Sequence, residues 1–421
     1  GSELGVHADE IGYELDLDDL QIQVAEDWYE AAIPSIITLK LDEVIPTHTK
    51  AQLEEKLAAA KEMSARTITL NDNMGQKWDL NLADHISWIY PDGETFKIYE
   101  DQLLTYLELE ISAEVEQVPQ NAAIVLNEDE SISFEGSARF GIEIDAGKMK
   151  ENLETTLAGT GSSVQIATIN VKPDVTVPEE LQLRGIKELV GVGYSSYSGS
   201  PANRQHNIGV GLSRFNGQIV KKGEEFSFTT LMGPVDGAHG WLPELVIKGD
   251  ETIPEYGGGL CQVSSTMFRA ALYSGLDITM RQNHSYAVQY YAFPYGYGLD
   301  ATVYDPRPDL RWINDTPGDI LIQSYYEGYD VYFVLYGTND GRSVQMEGPY
   351  AYDYTSIADA VTEYTDLLAA GERKLKEYAH RGFKVDWYRT INYADGTVKE
   401  RENIHSDYEA RPAKYLEGKA L

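Results

Sequence analysis

A short segment of this chain occurs twice. Ile11-Gly12-Tyr13-Glu14-Leu15-Asp16 resembles Phe140-Gly141-Ile142-Glu143-Ile144-Asp145, and the residues after each copy keep step at the same offset. Each copy leads into a helix-compatible stretch, 20–31 and 149–158, and then into an alternating, strand-like run, 37–41 and 166–171, that ends near a proline. Self-similarity at a fixed period is the signature of tandem units built on one fold. The expectation is therefore a truncated α+β copy over 1–48 and a complete one over 49–184. The complete copy reads as a helix over 50–63, a strand over 67–70, a helix around 100–109 and a hairpin of 123–126 with 131–134. His48 of the first copy and His85 of the second are isolated and no nucleophile–base pairing is visible, so these repeats suit binding or spacing better than catalysis.

Composition changes at Gly185. From there to residue 348 the chain is rich in Gly, Tyr, Ser and Asn, and reads as a β-rich α+β domain. Over 349–421 the sequence predicts a helix from Tyr354 to His380, with apolar Ile357, Val361, Tyr364, Leu367 and Leu368 at helical spacing. A C-terminal hairpin is expected after it, around Ala394-Asp395-Gly396, because Asp-Gly between alternating segments is a strong hairpin signal. The fold class is thus α+β and multidomain.

The one cysteine, Cys261, lies in Gly257-Gly258-Gly259-Leu260-Cys261-Gln262-Val263-Ser264-Ser265-Thr266. A single cysteine excludes an intramolecular disulfide and a cysteine-rich zinc site. Three glycines do not sit well in a helix, whereas residues 263–273 put Val263, Met267 and Ala271 on one face, with Gly275 as a C-cap. Cys261 is therefore expected at a helix N-terminus, where the macrodipole and unpaired N–H groups favour thiolate. The same N–H groups suit a developing oxyanion, and Gly258 and Gly259 let backbone approach a substrate closely. A thiol nucleophile also needs a base, and 185–348 offers only His206, His239 and His284. His284 comes after a strand-like run at 276–279. Direction of that strand decides whether it meets the helix start, and the residues leave this open. The alternative reading is a buried small residue beside a structural histidine.

Charge narrows the partners. Lys and Arg total 34 against 68 Asp and Glu, a net charge of −34, which repels nucleic acid and anionic lipid. Candidate metal ligands are scattered, and the acidic run 127–130 fits no EF-hand loop, so no metal and no cofactor is expected. The chain opens Gly-Ser, which reads as the remnant of a cleaved tag. A native N-terminus carrying a signal or membrane anchor is expected upstream.

The cysteine segment resembles the signature of the VanW domain, a bacterial family first noted in glycopeptide-resistance clusters. Further matches run in order: Asn203-Arg204, Asn207-Ile208, Asn216-Gly217, Gly223 to Phe228, Gly233-Pro234, Asn283-His284-Ser285, Asp300-Ala301-Thr302-Val303, and Trp312 to Thr316. The repeats resemble the peptidoglycan-binding domains that often precede VanW domains, and the C-terminal hairpin resembles the start of a short glycine-named β module. Such an architecture implies an extracellular, wall-facing protein, held to the membrane only by an anchor upstream of this chain.

For the site, the resemblance implies a cysteine L,D-transpeptidase acting on peptidoglycan stem peptides. Cys261 would attack the carbonyl of the third stem residue, and the amine of a second stem would resolve the thioester into a 3–3 crosslink. His284 would be the base, oriented by Asp300, Ser285 or a backbone carbonyl. Gly258, Gly259, Gln262, Ser264 and Ser265 would line the donor site. Arg204 and Arg281 could clamp carboxylates or simply form salt bridges, and Tyr291 belongs to an aromatic stretch, 290–298, that is either a wall over the substrate or packed loop. One departure stands out: Leu299 replaces an arginine that many members carry before the Asp-Ala-Thr segment. Two other readings remain, a non-catalytic wall-binding or resistance-accessory module and a cysteine carboxypeptidase acting on stem peptides.

Overall fold

The computed structural model describes residues 10–29, 38–46, 49–72, 75–92, 95–248 and 251–419. His48 and the end of the first repeat's expected helix and start of its strand, 30–37, lie outside these. The described structure is mixed α+β with many strands, and by contact it divides into two units. One comprises the chain up to Val115 with Ile144–Thr168; the other comprises Glu116–Glu143 with Ile169–Leu421.

In the first unit, Asp16 and Asp145 do the same job. Each accepts a hydrogen bond from the amide three residues on, Asp19 N at 2.9 Å and Lys148 N at 2.9 Å, and so caps the helix after it. The helix Lys50–Ser64 opens with a reciprocal capping box between Thr49 and Gln52. Strands Thr67–Asn71 and Lys77–Asn81 pair antiparallel, and Ser163–Gln165 adds to the first of them in parallel. Their inward residues Ile68, Leu70 and Leu80 bury against Leu103, Leu107, Ile111, Met149 and Leu153. The expected 100–109 helix runs on through a π turn to Val115.

The second unit is built on a four-stranded antiparallel sheet ordered Glu188–Ser196, Asp330–Gly337, Ile320–Glu327, Ile219–Val220. Helices Ala202–Phe215 and Leu260–Tyr273 bury Ile208, Leu212, Phe215, Val263, Met267 and Phe268 against Phe333 and Leu335. A Cβ at Gly193 would overlap the Thr266 carbonyl, so glycine there lets the second helix lie directly on the sheet. A smaller sheet joins Glu225–Ser227, Arg311–Ile313 and Asp277–Met280. Residues 116–143 and 169–184, expected with the second repeat, belong to this unit: Ile124, Ala138, Val177 and Leu181 bury against Leu189, Leu321, Val334 and Tyr336.

The C-terminal region differs from its expected form. No helix spans 354–380; Val361–Ala370 and Arg373–Glu377 are strands that flank Lys414–Gly418, parallel on one side and antiparallel on the other. The helical spacing of Val361, Tyr364 and Leu367 buries no face, and Leu367 is 89% exposed. Gly371 turns at φ 77 between the two strands, and pairing with the distant 414–418 segment overrides local helix propensity. The expected hairpin is present as Gly382–Asn392 with Val398–Tyr408, and Ser343–Thr355 completes a three-stranded sheet.

Candidate active site

The helix Leu260–Tyr273 begins at Gly259, whose φ of 110 lies in the left-handed region. A Cβ there would stand 3.1 Å from Arg204 Cγ and 3.1 Å from Ile208 Cγ1, and one at Gly258 would meet Glu244 and the Leu245 carbonyl. Both glycines are thus required by packing of the protein against itself, and Gly259 by backbone shape as well. Cys261 is the second helical residue. Its amide is among the first-turn N–H groups that lack an intrahelical acceptor, while Leu260 N and Gln262 N are capped by Gly257 O and Gly259 O.

Two serines fasten this helix start to the segment 300–303. Ser265 Oγ donates to Cys261 O at 2.7 Å and accepts from Ala301 N at 2.9 Å; Ser264 Oγ donates to Ala301 O at 2.5 Å. The Cys261 sulfur, partly buried, lies 3.6 Å from Val303 O. The strand Asp277–Met280 returns from the helix and sends the chain back so that His284 faces this sulfur.

His284 is 2% exposed and Asp300 is 2% exposed. His284 Nδ1 lies 2.6 Å from Asp300 Oδ2, and the His284 backbone N–H donates to the same oxygen at 2.8 Å. That pairing assigns the Nδ1 proton to the bond with the carboxylate and turns Nε2 toward the thiol. Nε2 is buried without a well-aligned hydrogen bond. Its interaction is with Cys261, close enough that each group shifts the other's proton affinity. A loose nucleophile–base contact is common before substrate binds.

The electrostatics favour a thiolate–imidazolium pair. Burial alone would neutralise the histidine, but Asp300 and the thiol outweigh it and push His284 up to about 9. Burial likewise opposes a thiolate, and the His284 contact reverses it, leaving the Cys261 thiol lowered. Asp300 would be raised by burial; His284, Arg281 and the Tyr408 hydroxyl instead hold its carboxyl well below the usual carboxylate range. Tyr291 stacks on the imidazole with ring centroids 4.6 Å apart and is itself buried.

Other expected site residues serve elsewhere. Ser285 does not orient His284: its hydroxyl accepts from Arg411 and its carbonyl from Glu409 N. Arg281 is consumed within the protein, donating to Asp300 O and Oδ1, Gly298 O, His405 O and Ser406 Oγ, so its guanidinium serves the fold rather than a substrate carboxylate. Gln262 is fully buried and donates to Ser195 Oγ. The hydroxyls of Ser264 and Ser265 are likewise spent on the backbone of the site. Arg204 is 8% exposed, bonded to Ser200 Oγ at 2.7 Å and stacked over Tyr290. The stretch 290–298 is packed loop, held from inside by Arg269, which donates to the carbonyls of Tyr291, Phe293 and Leu299. Leu299 is itself fully buried. Sequence reasoning misses Arg269 and Tyr408. Arg269 sits mid-helix as an ordinary charged residue would, and Tyr408 is 108 residues from the carboxylate it touches.

Residues 203–336 match the family model described as VanW like protein. The chain is similar to the uncharacterized protein YoaR of Bacillus subtilis, 30% identical over 231 residues that cover 55% of this chain and 73% of that protein. It is also similar to the vancomycin B-type resistance protein VanW of Enterococcus faecalis, 31% identical over 117 residues that cover 27% of this chain and 42% of that one. A mutant L,D-transpeptidase of Enterococcus faecium matches 27% of this chain and 46% of its own at 14% identity and a TM-score of 0.20.

Proposed function

The chain belongs to the VanW-like family, and on that premise we propose that it is a cell-wall acyltransferase, a cysteine L,D-transpeptidase that forms 3–3 crosslinks between stem peptides. The observation that carries the reading is the chain of contacts from Asp300 through His284 to Cys261, buried at the start of a helix. A vancomycin-resistance relative is in keeping with a reaction on the wall.

Cys261 is the nucleophile, already biased to thiolate by the imidazolium. It attacks the carbonyl of the third stem residue, and the Cys261 amide, left uncapped where Leu260 N and Gln262 N are taken by carbonyls, is the first-turn donor for the charge that develops on oxygen. His284 Nε2 gives its proton to the departing amine of the terminal D-alanine as the C–N bond breaks, leaving a thioester. The side-chain amine of a second stem then attacks. His284 takes its proton, the C–S bond breaks, and the thiolate returns with the new amide complete. Asp300 keeps the imidazole in one tautomer and orientation throughout and stays ionised. Water in place of the amine would make the same site a carboxypeptidase.

Incubation with purified disaccharide tetrapeptides should yield 3–3 dimers detectable by mass spectrometry, and Cys261→Ala should yield none. Dimers undiminished in Cys261→Ala would overturn the mechanism, and shortened stems without dimers would reassign the enzyme to hydrolysis.

A further inference from the structure

The hydrogen bonds that fix Asp300 do not come from the 185–348 segment alone. Oδ2 is taken by His284, through Nδ1 and the backbone N–H. Oδ1 accepts from Arg281 Nη2 at 3.2 Å and from the Tyr408 hydroxyl at 2.5 Å. Tyr408 lies at the end of Val398–Tyr408, in the C-terminal three-stranded sheet. Its hydroxyl oxygen in turn accepts from Gly298 N at 3.0 Å, so its proton is committed to the carboxylate. Ser406, two residues earlier on the same face, bonds Arg281 Nη2 at 2.9 Å and the Gly298 carbonyl at 3.1 Å. His405 O and Asp407 O hold Arg281 and Asn283. One strand edge thereby binds Arg281, Gly298, Asp300 and the residue preceding His284.

The ring is anchored as firmly as the hydroxyl. Tyr408 is 3% exposed and packs edge-on to Tyr297 and against Phe383, which Tyr354 covers. The sheet is further pinned by Trp387 Nε1, which donates to Tyr297 O at 2.8 Å, and a Cβ at Gly298 would meet the Trp387 indole. A module that only bound the wall would have no need of a polar side chain aimed at a buried carboxylate. A buried hydroxyl bonded to an ionised group stabilises that ion by more than an ordinary hydrogen bond does.

We propose that Tyr408 is a positioning residue of the active site, and that the C-terminal sheet is part of the catalytic apparatus because it delivers this hydroxyl to Asp300. Tyr408 touches neither thiol nor substrate. It fixes the carboxylate that orients His284, so its effect passes through Asp300. The charged and titratable groups around Asp300 are His284, Arg281, Tyr408, Cys261, Arg269 and Tyr291. Of these, Tyr408 is the one contributed from beyond residue 348. Burial keeps its phenol protonated, and so a donor, far above neutral pH.

The inference rests on the cysteine-nucleophile reading, and the test separates the two. In the full chain, the rate of Cys261 alkylation by iodoacetamide is measured from pH 4 to 10 for wild type, Tyr408→Phe, Ser406→Ala and Tyr354→Phe. Wild type should alkylate with an acid limb well below that of a free thiol; an acid limb at the free-thiol position would defeat the nucleophile reading itself. Tyr408→Phe keeps the ring and removes the donor. Asp300 then keeps its charge with one donor fewer to offset it, which opposes the Cys261 thiolate, and the acid limb should move up by about half a unit or more, about a threefold loss of rate on that limb. Ser406→Ala should move it the same way by less. Tyr354→Phe, which keeps the cover over Phe383, should superimpose on wild type. With tetrapeptide substrate, Tyr408→Phe should lower kcat and leave KM unchanged. A Tyr408→Phe profile that superimposes on a normal wild-type profile, whether or not Tm falls, would reduce Tyr408 to a packing residue and overturn the proposal.

Discussion

Among the described residues, the second unit holds three histidine–aspartate pairs of almost the same length. His284–Asp300 spans 2.6 Å, His239–Asp236 2.7 Å and His405–Asp386 2.7 Å. Distance therefore does not distinguish them. Exposure does: the His284 and Asp300 side chains are 2% and 3% exposed, the His239 and Asp236 side chains 42% and 47%. At the surface, water and salt screen the pair and its two side chains keep much of their freedom. In the buried pair both Asp300 oxygens are held by donors, so the imidazole has one orientation and one tautomer to offer the thiol. The helix start that carries Cys261 is likewise tied by Ser264 and Ser265 to the backbone next to Asp300. The lesson is that a dyad is made by what surrounds it, including a strand more than a hundred residues away.

The largest effect should come from the same substitution made in the buried pair. Asp300→Asn keeps the shape but offers Arg281, Tyr408 and His284 a group that is no longer charged and cannot favour the reactive tautomer. Turnover of tetrapeptide should fall by about 10²–10⁴-fold with KM little changed, by analogy with the orienting aspartate of the serine-protease triad. A fall of less than tenfold would place the orienting role elsewhere.

Next is the pH dependence of stability. The His284 imidazolium is favoured by folding, with its titration pushed up to about 9 from an ordinary value of 6.5. A group raised in this way contributes stability that is present below about pH 6.5 and is lost as pH rises through about 9. The lowered Cys261 thiol works in the opposite sense, gaining as pH rises toward the ordinary thiol value. Folded, the pair holds its one proton on His284; unfolded, it holds one on Cys261, so the two contributions offset between about pH 6.5 and 9. Below that window the unfolded chain takes up the second proton first, and wild-type Tm should fall more from pH 7 to 5 than that of His284→Gln. Parallel curves for the two proteins would mean the thiolate–imidazolium pair is not stabilised in the fold.

Part of this site is legible from sequence because its signals are local. Three glycines ahead of an apolar 3.6-residue pattern mark a helix start, and so put Cys261 at the end of the dipole. His284 is one of three histidines between 185 and 348, and Asp300 one of several groups able to orient it. What the residues do not reveal is direction and long-range closure. Ser264 and Ser265 lie where substrate contacts would be expected, yet their hydroxyls turn back to the Cys261 and Ala301 carbonyls. Arg281 carries a guanidinium suited to a ligand, and the fold surrounds it with carbonyls instead. Tyr408 sits on a strand whose alternation says only that one face is buried, not that the face meets a carboxylate. The missed strands at 361–377 share this cause, since they are specified by pairing with 414–418 and not by their own spacing.

Two glycines sharpen the contrast between the regions at a smaller scale. Gly259 and Gly240 both have left-handed backbones, φ 110 and φ 91. Alanine at Gly240, beside the surface pair, finds nothing within 4 Å, whereas at Gly259 it meets Arg204 and Ile208 at about van der Waals overlap, 3.1 Å. Gly240→Ala should cost only the backbone strain, about 1 kcal/mol. Gly259→Ala should cost about 1–3 kcal/mol by thermal unfolding and should also lower Cys261 alkylation, because the helix start must shift. Equal costs at the two positions would mean the cysteine turn has slack.

The smallest effect is expected from Asp236→Asn. Asp236 is held below its usual range by the hydrogen bond from His239, so the pair is real, but it is exposed on both sides and lies outside the contacts that reach the thiol. Asparagine can still accept the His239 backbone N–H that Asp236 now takes at 3.1 Å. Turnover and the alkylation profile should both stay within about twofold of wild type, as for most exposed ion pairs. Raising the salt concentration should erase what difference there is, because an exposed pair is screened over about 8 Å at physiological ionic strength. A loss comparable to that of Asp300→Asn would break the distinction between the pairs, and would require a route from this surface turn to Cys261 that runs through His206 and the helix Ala202–Phe215, where Gly240 O meets His206 Nε2 at 2.8 Å.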